Sequence, residues 1–259
     1  MISLVPMAGK GSRFKQEGYN LPKPFIPILG SPMFVTSVRS FPAARKYVFL
    51  CLESFLTQYP FEREVQKYFP QSAIISILQV TEGQASTCLL AKDQLLAEED
   101  LLISSIDYQV VYDRAHWEKL VQDESISVII WTFRIGSISK KDPKAFAYCR
   151  IDKEGFVQEI VEKQTISDTP GNDPAVVGTF YYRNCKDFTW GAENMISQNI
   201  RVNNEFYVGT SINQLIKAGK KVKIFEVEKF ISFGDPFELD LFHFWEEFFH
   251  DNPDHPYSG

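Results

Sequence analysis

The sequence predicts an α/β fold: a Rossmann-like mixed, mainly parallel sheet flanked by helices, with antiparallel additions in its second half. Three observations lead there. In the first half, short apolar runs alternate with helix-spaced segments, the signature of parallel βαβ units with right-handed crossovers. In the second half, apolar strands follow one another, joined at Asp152-Lys153-Glu154-Gly155 by a turn suited to antiparallel pairing. No repeat, low-complexity stretch or long linker divides the 259 residues, so residues 1–259 read as one domain.

The elements follow in chain order. Residues 2–7 read as a first strand. Residues 32–41 read as a helix with Pro32 near its first turn, where the missing N–H costs nothing. Residues 47–52 form a second strand, 62–68 a helix and the isoleucine-rich 73–79 a third strand. In residues 84–97, Ala85, Cys88, Leu89, Lys92, Leu95 and Leu96 lie close to helical spacing. Residues 101–105 read as a fourth strand and 115–122 as a helix, with Asp113 at its N-cap. Strands are expected over 126–135, 146–152, 155–162 and 175–182. Helices follow over 187–197 and 208–218, the second ended by Gly219. Residues 221–227 make a last strand and 237–249 an aromatic-rich helix. Its stripe of Phe242, Trp245, Phe248 and Phe249 reads first as core packing and second as a homodimer contact. His243 and His250 share a helical face but lack tight ligand spacing, and are not read as a metal site.

Composition narrows the function. Lys plus Arg number 27 and Asp plus Glu 33, a net charge of −6, which argues against a nucleic-acid binder. No apolar run approaches a membrane span, and no signal peptide is read at the start, so no membrane partner and a cytoplasmic location are expected. The four cysteines, Cys51, Cys88, Cys149 and Cys185, are widely spaced and suggest neither a zinc site nor a disulfide framework. Ser104 and Ser105 have no evident histidine partner for nucleophilic catalysis.

The most informative segment leaves the first strand: Ala8-Gly9-Lys10-Gly11-Ser12-Arg13. A glycine-rich turn in this place can direct backbone N–H groups at a phosphate, and Arg13 adds a planar fork for its oxygens. It is not a Walker A loop, because Gly11 is followed by Ser12-Arg13 rather than by Lys-Ser/Thr. Nor is it a Rossmann fingerprint, because Phe14 takes the third glycine's place. Next comes Pro22-Lys23-Pro24, where two prolines present a lysine at low entropic cost.

The loop followed by the bracketed lysine resembles the opening of the sugar-phosphate nucleotidyltransferases (nucleotide-sugar pyrophosphorylases) of the short single-domain type, AGxGTR…PKPLxPVxGxPM. Ser12, Phe25 and Ile28 are mild departures. The resemblance implies a GT-A-like nucleotidyltransferase fold with a nucleotide-binding half, 1–125, and an acceptor-binding half with a C-terminal helix, 126–259. It implies an NTP, a phosphorylated small-molecule acceptor such as a sugar 1-phosphate, and Mg2+. On this pattern Arg13 and Lys23 are catalytic. Ala8, Gly9, Lys10, Gly11 and Ser12 hold the nucleotide. Gln79 and Gly83 read the base, and an amide at 79 suits a pyrimidine.

Glu162-Lys163 and the strand glycine Gly178 serve the acceptor. Asp107, at the end of a buried strand, holds the metal. Near the end, Phe233-Gly234-Asp235-Pro236-Phe237-Glu238-Leu239 is similar to DxGTPxDL, but the second metal-holding aspartate falls on Ser232. Asp235 is the candidate replacement, with phosphates and water as the alternative. A glycosyltransferase consuming a nucleotide-sugar and a non-catalytic nucleotide or sugar-phosphate sensor remain as other readings.

Overall fold

The computed structural model describes residues 1–136 and 141–256. In chain order the elements begin β1 (Ile2–Pro6), α1 (Ser12–Gln16), β2 (Pro27–Ile28), β3 (Ser31–Pro32), α2 (Met33–Arg39), β4 (Lys46–Leu52), α3 (Glu53–Gln58), α4 (Phe61–Tyr68) and β5 (Ala73–Ile77). They continue with α5 (Gln84–Leu89), β6 (Leu101–Ile103), β7 (Tyr108–Val111), α6 (Arg114–Val121), β8 (Val128–Phe133), β9 (Ala147–Ile151), β10 (Val157–Glu162) and β11 (Ala175–Tyr182). The last are α7 (Cys185–Ser197), α8 (Val208–Lys217), β12 (Val222–Glu226), β13 (Lys229–Ser232) and α9 (Pro236–Asp251).

Among the described residues the main sheet has nine strands, in the order β10-β9-β11-β6-β1-β4-β5, with β8 also paired to β11 and β12 to β8. β6, β1, β4 and β5 are parallel, as continuous apolar strands with helical crossovers require. β11 turns the sheet antiparallel against β6, β8 and β9, and β10 pairs β9 in the same sense. The expected turn between β9 and β10 is built by Asp152, whose Oδ1 accepts from Glu154 N and Phe156 N at 2.9 Å each. Gly219, at φ +79°, ends α8 by the left-handed route expected of it.

The apolar faces pack on both sides of the sheet. One core holds Leu4, Leu50, Ile103, Phe180 and Phe206, and the other Trp117, Trp131, Tyr148, Tyr181 and Phe225. A third cluster, with Phe34, Phe49, Phe61 and Phe69, uses part of the abundant phenylalanine. Phe25 packs edge-on against Phe34 and Phe61, at centroid separations of 6.0 and 5.2 Å, and so anchors the segment that carries Lys23. All four cysteines are buried and free.

Several expectations change. The helix expected over 84–97 ends at Leu89, and a 3-10 turn, Lys92–Gln94, follows. The reason is local: the N–H groups of Leu90, Ala91 and Gln94 bond three residues back, to Thr87, Cys88 and Ala91, which tightens the chain and buries Ala91. α1, α3 and the β7–β13 ribbon carry no clear periodic signal. The aromatic stripe of α9 is not simply core: Leu239 is its one fully buried side chain and Phe242 is half-buried, while Phe244 and Trp245 are 57% and 47% exposed.

Candidate active site

The candidate site lies beyond the carboxyl ends of β1 and β6, the ordinary ligand position of such a sheet. Three adjoining cavities form one trough. A cavity of about 930 Å³ shares Gly11, Ser12 and Lys23 with one of about 260 Å³. The latter shares Arg13, Ser105, Asp107 and Gly234 with a third, of about 410 Å³. Gln79 lies in the first, with Lys10; Gly9 lies in the second; Glu162, Lys163 and Gly178 lie in the third. The structure thus brings the loop, Lys23, Asp107 and the Glu162-Lys163 pair to the walls of adjoining cavities, though they are far apart in sequence.

The loop enters α1 through Gly11, whose φ of +60° a side chain rarely adopts. A β-carbon there would meet Lys23 Cβ at 3.2 Å, so glycine also lets the two segments close on each other. Ala8 is buried behind the loop, whereas Gly9, Lys10, Ser12 and Arg13 are exposed to it. The Lys23–Phe25 segment is a 3-10 turn closed by Phe25 N donating to Pro22 O at 2.8 Å. From it Lys23 Nζ donates to Asp107 Oδ2 at 2.6 Å and to Gly234 O at 3.0 Å.

Asp107 is held from several sides. Ser105 Oγ donates to its Oδ1 at 2.7 Å, and its carbonyl accepts from Phe233 N at 3.0 Å. Burial pushes this carboxyl up, but the charge and hydrogen bond of Lys23, the Ser105 hydroxyl and the charge of Lys141 outweigh it and hold it below the usual carboxylate range. Asp107 therefore stays ionised at neutral pH. The β7–β13 ribbon pairs Tyr108 with Ser232, and the β13 end places Gly234 against Asp107, where a β-carbon would stand 3.1 Å from Oδ2.

Asp235 is placed differently from Asp107. Its Oδ1 caps α9 by accepting from Glu238 N at 3.0 Å, and its Oδ2 faces Lys141 Nζ at 3.4 Å. It lines a neighbouring cavity of about 760 Å³ rather than the trough. Among the described residues no three His, Cys, Asp or Glu side chains gather as a metal site. Asp107 alone, one anionic oxygen ligand facing a space wide enough for phosphates, still fits magnesium, which commonly takes one or two carboxylates and completes its shell with phosphate oxygens and water.

On the far side, Glu162 ends β10 and has Gly209, in the first turn of α8, against it; a β-carbon on Gly209 would meet Glu162 Oε1 at 2.4 Å. Burial pushes the Glu162 carboxyl up to about 7, and Lys163 offsets only part of this. Lys163, at φ +58°, turns its ammonium over the Tyr207 ring at 5.7 Å and onto Ala145 O at 2.5 Å. Gly178, at φ +98°, sits where the β11 pairing with β8 shifts register, with Tyr108 Oη 3.3 Å from the place of a β-carbon.

Gly83 has a structural reason for being glycine. Its φ is +127°, and a β-carbon would stand 2.5 Å from Phe206 N. Gln84 lines the third cavity, away from Gln79. Sequence reasoning missed Lys141, Tyr207 and Ser105 as site residues. Ser105 had a signal, two positions before Asp107, and Tyr207 lies in Glu205-Phe206-Tyr207, a segment that also resembles the family; Lys141, outside every strand and helix, had none.

No protein-family model matches the chain, and no curated protein matches it. Solved structures do. The nucleoside-diphosphate-sugar pyrophosphorylase from Vibrio cholerae RC9 superposes with a TM-score of 0.74 at 23% identity, covering 93% of this chain and 99% of that one. The inositol-1-phosphate CTP transferase from T. maritima superposes with a TM-score of 0.73 at 12% identity, covering 96% of each. A chain assigned as a glucose-1-phosphate thymidylyltransferase from Bacillus anthracis, in complex with a sucrose, gives 0.70 at 16%, covering 95% of each. The chain therefore has the fold of these nucleotidyltransferase structures over nearly its whole length.

Proposed function

We propose that this chain is a nucleotidyltransferase that joins an NTP to a phosphorylated small-molecule acceptor and releases pyrophosphate. The observation that carries the reading is the trough itself: a glycine-rich loop, Lys23 and an ionised Asp107 between a cavity holding Gln79 and one holding Glu162 and Lys163. The fold shared with solved nucleotidyltransferases supports it.

In this reading residues 1–125 carry the nucleotide and 126–259 the acceptor. An acceptor phosphate oxygen attacks the α-phosphorus in line, and pyrophosphate leaves opposite. An ionised phosphate needs no general base and no covalent nucleophile, so the protein's task is to align two polyanions and offset their repulsion. The Gly9–Ser12 backbone and Arg13 hold the β and γ phosphates and stabilise the leaving group. Lys23, placed mid-trough, bridges the α-phosphate and the acceptor phosphate. Lys163 holds the acceptor phosphate. Glu162 accepts from donors on the rest of the acceptor, and Gly178 leaves room for it. Gln79 and Gly83 read the base. Asp107 holds magnesium, which when bound screens the phosphate charge.

A thermal-shift panel of ATP, GTP, CTP, UTP and dTTP with magnesium tests this. A ligand that binds only the folded state stabilises it by about 2.7 kcal/mol at a hundredfold excess over Kd. A shift with one nucleotide, followed by pyrophosphate release with a panel of sugar and alcohol phosphates, is the expected result. No shift with any triphosphate overturns the reading. The serine at 232, where the resemblance implies a carboxylate, favours one second reading, a sensor: tight nucleotide binding with no pyrophosphate from any acceptor identifies it.

A further inference from the structure

We propose that Lys141 is a phosphate ligand on the acceptor side of the trough, held there by Asp235 and Glu238. This rests on the nucleotidyltransferase reading and adds to it a residue that neither the sequence motifs nor the comparisons assign.

The placement is specific. Lys141 lines both the third cavity and its neighbour, so it stands on the wall between them. Behind it are two carboxylates: Glu238 Oε2 at 2.7 Å and Asp235 Oδ2 at 3.4 Å. Its ammonium lies over the Phe146 ring, 6.0 Å from the centroid. An ammonium has three donors; Glu238 accepts one of them, and Asp235 adds a longer ion pair, so the hydrogen-bonding capacity of Lys141 is not exhausted.

The surrounding charges make the cavity side anionic in preference. Ser232 Oγ donates to Glu238 Oε2 at 2.7 Å. A carboxylate at position 232 would add a second negative charge close to Asp107. The hydroxyl removes it, and the two carboxylates that Lys141 partly offsets, Glu238 and Asp235, line the neighbouring cavity and not this one. The third cavity is then lined by the cations Arg13, Lys141 and Lys163, against the carboxylates Asp107 and Glu162. Asp107 is already paired with Lys23. A phosphate monoester bound there would meet Arg13, Lys141 and Lys163 on the cavity wall, with Glu162 available to the donors of its organic part. Lys141 is the ligand; Asp235 and Glu238 are positioning residues that aim its ammonium.

Inorganic phosphate is the probe, titrated by thermal shift against wild type, Lys141→Ala and Lys141→Arg, alone and with magnesium nucleotide present. Lys141→Ala is expected to weaken phosphate binding about tenfold or more, Lys141→Arg about threefold or less, and nucleotide binding is expected to stay within about threefold in both. If Lys141→Ala does not fold, Lys141→Met keeps most of the side-chain length without the charge and is read in the same way. Glu238→Gln is expected to give an intermediate loss of phosphate binding. Wild-type phosphate affinity in Lys141→Ala, no phosphate binding by wild type, or an equal loss of nucleotide binding overturns the proposal. Failure of the enzyme reading looks different: phosphate binding keeps its dependence on Lys141, but no NTP yields pyrophosphate.

Discussion

Glu162→Gln should make the protein more stable at alkaline pH, and the structure sets the amount. The Glu162 carboxyl is raised from 4.5 to about 7 in the folded protein, first by burial at the end of β10, with Lys163 pulling the other way. A carboxyl with a raised folded-state pKa holds its proton longer in the folded than in the unfolded chain, so stability falls as pH rises from the unfolded value to the folded one. The whole penalty is present above about pH 7. At about 1.4 kcal/mol per unit it amounts to about 3 kcal/mol. Glutamine keeps the shape and removes the charge. Urea denaturation at pH 8 is expected to show Glu162→Gln about 3 kcal/mol more stable than wild type, the gap narrowing to about 1 kcal/mol at pH 5. A variant no more stable than wild type at pH 8, or a gap that does not close towards pH 5, refutes the reasoning. The same change should raise the acceptor KM. In wild type the acceptor KM should rise as pH falls through about 7, because protonation removes the acceptor's anionic partner. A destabilising charge kept beside a cavity is the stability–function trade expected of a binding group.

Other outcomes follow from the same geometry. Arg13→Ala and Lys23→Ala should each lower turnover by roughly 10²–10³, about 3–4 kcal/mol of transition-state stabilisation, while thermal melts show them folded; near-normal turnover in both removes the assignment. Asp107→Asn should weaken Mn2+ binding in the presence of nucleotide by about tenfold or more, read by electron paramagnetic resonance. Asp235→Asn, which can still cap α9, should change that binding by about threefold or less. Gly83→Ala combines a left-handed φ with a clash on the Phe206 backbone, and should cost about 3 kcal/mol or more in denaturant melts whether or not the base contacts this turn.

The parallel strands, the Asp152 turn, the Asp113 cap and the loop-plus-lysine motif were legible because each is a local property. Apolar periodicity, a short hydrogen bond such as that from His116 N to Asp113 Oδ1 at 3.1 Å, or a proline-fixed backbone acts over a few residues. The partial burial of α9 was not legible, since an aromatic stripe has the same pattern whether or not another element covers it. The fate of Asp235 was ambiguous for a similar reason: Asp-Pro at a helix start and a displaced metal ligand look alike in sequence, and only the direction of the carboxylate separates them.

Sequence alone was enough for the fold class, and it singled out the Gly9–Ser12 turn and Lys23, because a glycine-rich turn after a strand and a lysine between prolines carry their geometry with them. The surroundings of these groups depend instead on long-range packing. β13 pairs with β7 more than a hundred positions away in sequence, and that pairing brings Gly234 and Ser232 to Asp107. The packing of α9 against the same edge brings Glu238 to Ser232 and Lys141 to both acids at the helix start. Such contacts depend on long-range register, which is set by burial across the whole sheet and not by any local pattern.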